Sequence, residues 1–201
     1  MNYLAHALLG GPSAADKTGA LLGDFVKGHL PGALPLELAR GVALHRSIDA
    51  FTDAHPLFAR SRERISSARR RYAGIMVDMF YDHLLARHWA ELGVGELALF
   101  AQSVYGALDE HAAWLPPRLA SIAPRMRQFD WLTAYRELSA VRQAIDSMSV
   151  HRLSQPNALA GAADELEHAY AGFEADFLAF WPEVCNHAAA FVWRPPAPPA
   201  A

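Results

Sequence analysis

The chain has 201 residues, 52% of them hydrophobic, which is enough for one substantial core and short for two domains. A formal charge of −3 at pH 7 and a pI near 6.3 exclude a nucleic-acid binder that works by bulk charge. The single cysteine, Cys185, excludes an internal disulfide and a thiolate zinc site, and no apolar run reaches the ~20 residues that cross a bilayer. The N-terminus lacks a basic leader, so the sequence reads as a cytoplasmic protein without a membrane partner.

Apolar residues recur at helical spacing almost throughout, and β-branched residues are scattered, so the fold class is all-α. The elements assign residues 1–192 to a single helical domain and 193–201, RPPAPPAA with its preceding Trp193, to a Pro-rich disordered tail. Asn2 to Leu9 is short and apolar around His6, and Gly-Gly-Pro stops it. Ala14 to Lys27 reads as a second helix carrying Asp24, with Gly28 as its C-cap. A third, about Leu36 to Thr52, turns Leu38, Val42, Ile48 and Phe51 inward and puts His45 and Asp49 on a neighbouring face. Thr52 or Asp53 is then an N-cap for a helix with Pro56 in its first turn.

Arg60, Arg62, Arg64, Arg69, Arg70 and Arg71 form the one cationic cluster. Gly74 to Glu91 follows, apolar nearly all round and therefore central, with Asp78, Asp82, His83 and Arg87 as its polar stripe. Further helices are expected over Gly95–Trp114, Arg118–Met126, Trp131–Ser149 and Ala158–Phe180, separated by prolines, with Pro182 ending or kinking the last.

An amphipathic helix needs a polar face, and either His45/Asp49 or Asp78/Asp82/His83 alone is most simply that. Together they say more. The central stripe uses short Asp and His instead of long Glu and Lys, and Asp78 and Asp82 at i,i+4 repel by a few tenths of a kcal/mol unless a cation intervenes. The pattern then recurs on two helices, which points to a divalent-ion site. Carboxylate with imidazole favours Mn²⁺ or Mg²⁺ over Fe²⁺ or Zn²⁺, and the natural chemistry is hydrolysis of a phosphate ester. Asp24 stands at even odds between plain polar residue and ligand, His6 ranks lower, and Asp53 has its capping role to weigh against a chemical one. The arginines, with Arg46 beside His45, read as a solvated face or as a surface for an anionic substrate or acidic protein. No Ser-His-Asp or Cys-His arrangement is evident.

MNYLAH, GALLGDFVKG, LHRSIDAFTDAHP and MVDMFYDHLLARHW resemble the motifs of the acyl-carrier-protein phosphodiesterases, specifically so through about Trp89. The resemblance implies an HD-type helical bundle, dependence on Mn²⁺, and removal of the 4′-phosphopantetheine arm from holo-acyl carrier protein. Matched motif by motif, it places Asp24, His45, Asp49, Asp82 and His83 at the metal centre, with Asp78 nearby; the cationic residues Arg46, Arg62, Arg64, Arg69, Arg70 and Arg71 would then be the contacts for an acidic carrier protein, by charge and not by motif. HD-type relatives carry a His-Asp dipeptide, whereas this chain has the reverse, Asp82-His83. Two alternatives stay open: an HD-type nucleotide phosphohydrolase, and a non-catalytic helical module that docks an acidic protein.

Overall fold

A computed structural model describes residues 1–151 and 157–195, and among them there are helices and turns but no strand. Pro156 and most of the Pro-rich tail lie outside the described residues. The first helix, α1 (Tyr3–Gly10), buries Tyr3, Leu4, Ala5, His6 and Ala7. Its first turn has no cap of its own; the Leu4 and Ala5 N–H groups donate to the Asp82 carboxylate, at 2.8 and 3.1 Å. A capping box formed by Ser13 and Asp16 starts α2 (Ala14–Leu22).

The helix α2 ends five residues before its sequence pattern does. The Phe25 and Val26 N–H groups both turn back to the Leu22 carbonyl, and Arg46 holds the Val26 and Gly28 carbonyls at 3.0 and 2.8 Å. Asp24 therefore sits on a turn, and Gly28, at φ +86°, serves the loop instead of a helix end. The next helix, α3 (Leu36–Ala54), crosses α2 where Gly19 meets Gly41; a Cβ on Gly41 would lie 2.7 Å from the Gly19 Cα. Only glycine permits that approach.

Pro56 opens α4 (Pro56–Arg64), but His55, whose Nδ1 accepts the Leu57 N–H, is the N-cap in place of Thr52 or Asp53. A 3₁₀ segment (Ser67–Tyr72) leads into α5 (Ala73–Arg87), the central helix, where Phe80, Tyr81, Leu84 and Leu85 are fully buried. The chain breaks at His88 into the single turn α6 (Trp89–Leu92), followed by α7 (Leu97–Glu110), α8 (Pro117–Gln128), α9 (Trp131–Ala134), α10 (Leu138–His151), α11 (Ala163–His168) and α12 (Tyr170–Ala189). Pro124 lies inside α8, within the span expected as one helix, and Pro182 lies inside α12, which continues past it to Ala189. The carbonyls they leave unpaired belong to Ala120 and Leu178, both exposed residues on the outer side of their helices, where solvent can satisfy the missing bond. One hydrophobic core links all of this, with α1 against α2 and α5, and α12 across α3, α4 and α5.

Candidate metal centre

Three elements bring ionisable side chains together: α1 supplies His6, the turn after α2 supplies Asp24, and α3 supplies His45 and Asp49. The His6 and His45 rings stack, centroids 3.8 Å apart and 19° from parallel. Each presents Nε2 to Asp49, His6 to Oδ1 and His45 to Oδ2, both at 3.0 Å. Asp24 Oδ1 lies 3.8 Å from the same His45 nitrogen.

The His45 Nδ1 is 2.7 Å from the Ala20 carbonyl, an acceptor that fixes the proton on Nδ1. A neutral His45 then turns a bare lone pair toward an Asp49 oxygen at 3.0 Å, two acceptors face to face. Only a proton or a metal cation between them makes that contact favourable. Burial, and then the neighbouring His45, push the His6 imidazole down to about 3, so it is neutral and able to ligate. Burial alone would raise Asp49, but its close contacts with His45 and His6, wherever a proton lies between the imidazole nitrogen and the carboxylate, outweigh it and hold this carboxyl below the usual range.

Gly23 lets His45 reach this position, since a Cβ there would sit 2.1 Å from the His45 Cγ. Beside the imidazoles lies a chamber of ≈ 140 Å³ lined by Met1, Asp24, Asp49, Thr52, Asp53 and Asp78. The Met1 ammonium lies 2.8 Å from Asp78 and 3.8 Å from Asp49. Burial raises the Asp78 carboxyl, and the Met1 ammonium opposes the rise. Among the described residues the Thr52 hydroxyl is buried without a protein partner, as is His6 Nδ1.

The structure thus unites Asp24, His45 and Asp49 with His6, and places Asp53 and Asp78 on the chamber wall. Asp82 and His83 are elsewhere engaged. Both Asp82 oxygens accept the backbone of α1, and burial pushes its carboxyl up to about 7 against the pull of those N–H groups. His83 lies about 100° further round the helix, between the Tyr135 carbonyl at 2.8 Å and the Tyr170 hydroxyl at 3.1 Å.

The basic cluster divides as well. Arg60 and Arg64 converge on Asp176, which is fully buried, and Ser61 joins them. Arg69 pairs with Glu165 and binds the Ala158 and Ala160 carbonyls. Arg46 is spent on the loop after α2, where it braces the turn that carries Asp24. Arg62, Arg70 and Arg71 remain exposed and, among the described residues, have no carboxylate partner; Arg70 reaches the Glu63 carbonyl and Arg71 lies over the Tyr72 ring.

Sequence reasoning missed Gly23 and Thr52 and underrated His6. The available signal for His6 was an imidazole in the middle of an apolar segment, where it must be buried and so must have a partner.

The family model for acyl carrier protein phosphodiesterase matches residues 1–184. A protein of that name from Yersinia pestis is 34% identical over 189 residues, 94% of this chain and 97% of its own. Those from Photorhabdus laumondii and Pectobacterium atrosepticum are 30% and 32% identical, over 94% and 92% of this chain and 95% of each relative. No solved structure matches.

Proposed function

The chain belongs to the acyl carrier protein phosphodiesterase family, and from that premise we propose that it hydrolyses the phosphodiester joining the 4′-phosphopantetheine arm to the serine of holo-acyl carrier protein. Water adds across the bond between phosphorus and the serine oxygen. The serine leaves as its hydroxyl, restoring the apo carrier protein, and the arm departs as 4′-phosphopantetheine.

A phosphodiester is anionic, and a chamber walled by Asp24, Asp49, Asp53 and Asp78 repels it unless a cation neutralises the carboxylates. The observation that carries the proposal is the contact of His45 Nε2 with Asp49, orphaned of a proton by the bond from Nδ1 to Ala20. A carbonyl behind a ligating imidazole is the usual support for a metal ligand. In this reading His6, His45 and Asp49 hold one divalent ion with Asp24 beside it, and the mixed nitrogen and oxygen donor set suits Mn²⁺, with Mg²⁺ and Fe²⁺ as lesser candidates. Such an ion supplies Lewis-acid polarisation of a phosphoryl oxygen. Asp53, Asp78 and the Thr52 hydroxyl offer acceptors for the attacking water, while Gly23 and Ala20 keep His45 in place.

Arg62, Arg70 and Arg71 supply the exposed positive charge for an acidic carrier protein. No described helix is long and apolar enough to cross a membrane. The proposal puts the reaction in the bacterial cytoplasm, a setting that the lone free thiol of Cys185 tolerates. The deciding experiment incubates the purified chain with holo-acyl carrier protein and Mn²⁺ and follows the carrier by mass spectrometry. Loss of the phosphopantetheine mass is expected; an unchanged carrier with every divalent ion tried defeats the proposal.

A further inference from the structure

A second cleft, of ≈ 280 Å³, shares Met1, Asp24 and Asp78 with the acidic chamber, so the two cavities abut. Its character differs. Ile75, Met79, Met148 and Leu159 give it an aliphatic and thioether wall, and Arg118, at the start of α8, is the one basic side chain on its lining. Ile75 is 42% exposed, unusual for a large apolar residue on the central helix, and it faces this cleft. Among the described residues Arg118 has no carboxylate or carbonyl partner, whereas Arg60, Arg64, Arg69, Arg127 and Arg142 are all paired. An unpaired guanidinium on the lining of an apolar-walled cleft that abuts a candidate metal centre matches a ligand with a phosphate at one end and an uncharged chain behind it.

We propose that this cleft is the subsite for the phosphopantetheine arm, with Arg118 binding its phosphate and Ile75, Met79, Met148 and Leu159 packing along its aliphatic chain. The assignment rests on the phosphodiesterase reading and adds to it the residues that select the arm. Arg118 balances part of the phosphate charge that the acidic chamber beside the cleft would repel. The flexible Met79 and Met148 side chains adapt to an irregular chain of methyl, methylene and amide groups. A nucleotide would leave its base against aliphatic side chains, with Tyr3 as the lone aromatic ring on the lining.

The test uses the full chain with Mn²⁺ and measures 4′-phosphopantetheine in two ways, as a competitive inhibitor of holo-carrier hydrolysis and by calorimetric binding. Ile75→Trp narrows the cleft at an exposed position, and Arg118→Ala removes the charge. Each is expected to weaken phosphopantetheine about tenfold or more, with Arg118→Lys intermediate. Leu99→Trp, at a residue 67% exposed on α7 and outside the cleft, leaves the affinity unchanged. Equal affinity in wild type, Ile75→Trp and Arg118→Ala overturns the assignment even if the carrier is hydrolysed, as does inorganic phosphate or AMP binding as well as phosphopantetheine. A wild-type chain that leaves holo carrier intact defeats the reaction instead, and calorimetry then still reports on the cleft.

Discussion

The division of the arginines into structural and free groups yields a prediction with two opposite readouts. Arg64 places Nε 2.8 Å from Asp176 Oδ2 and Nη2 3.3 Å from Oδ1, and its side chain is 32% exposed. A hydrogen bond to a charged group contributes roughly 1.5–3 kcal/mol, and partial exposure of Arg64 places it at the low end, about 1.5 kcal/mol. For a chain of this size each kcal/mol shifts Tm by about 2–4 °C, so Arg64→Ala should lower it by about 3–6 °C. Arg69→Ala, which frees Glu165 and two carbonyls, should behave alike. Arg62→Ala and Arg71→Ala touch no ion pair and should stay within about 0.5 kcal/mol of wild type. Kinetics should invert the order. Reversing Arg62, Arg70 and Arg71 to Glu should raise KM for the carrier protein and flatten its dependence on ionic strength, because long-range attraction is what salt screens. Differential scanning calorimetry, with KM determined at low and high salt, separates the groups. If Arg64→Ala kept the wild-type Tm and raised KM while the triple reversal left KM unchanged, the division would be wrong.

Gly23→Ala drives a Cβ into the His45 ring, which must abandon the Ala20 carbonyl; overpacking of about 1–3 kcal/mol and a loss of Mn²⁺ affinity of about tenfold or more are expected, and wild-type values for both in calorimetry would refute the positioning role. Asp82→Ala deprives two buried N–H groups of their acceptors, at about 1–3 kcal/mol each, and should lower Tm while Mn²⁺ still binds with wild-type stoichiometry. Asp49→Ala, at a carboxylate 42% exposed, should do the reverse, and loss of the ion in Asp82→Ala with an unaltered Tm would return Asp82 to the metal centre. Burial opposes ionisation of Asp176, but Arg64, Arg60 and Ser61 outweigh it and hold its pKa below 3.8, so its contribution is full above 3.8 and fades as pH falls through the lowered value. The stability gap between wild type and Asp176→Asn should therefore be widest at neutral pH and close in acid, and a gap that widened in acid would contradict the ion pairing.

Periodicity made the helices legible because each buries one face, and it failed where a side chain from elsewhere dictates the chain's path. Nothing in the pattern from Ala14 to Lys27 announces that Arg46 will pull two carbonyls out of line, or that Gly23 must clear space for an imidazole. Pro124 and Pro182 both lie within helices that continue past them. A helix tolerates an internal proline more readily where the carbonyl it orphans can reach solvent, and here Ala120 and Leu178 are exposed residues. The cationic cluster was plain in composition, but its partners Asp176 and Glu165 lie about a hundred residues further along the chain.

The same limit explains the site. Asp78 and Asp82 share a helix face, and their spacing signals that each needs a partner to offset the repulsion. It does not say which. Four residues advance a helix by about 6 Å, far enough for the two carboxylates to meet different surroundings, the Met1 ammonium for one and the first turn of α1 for the other. A ligand differs from a cap in having a lone pair that no protein donor satisfies. His45 meets that criterion, because its other nitrogen is committed to Ala20, while Asp82, each of whose oxygens already accepts a backbone N–H, is fully buried and does not line the acidic chamber. The spacing of acids along a helix can thus locate a demand for positive charge, but whether a proton, an amide or a metal meets it depends on the second nitrogen or oxygen of each group, which only the fold decides.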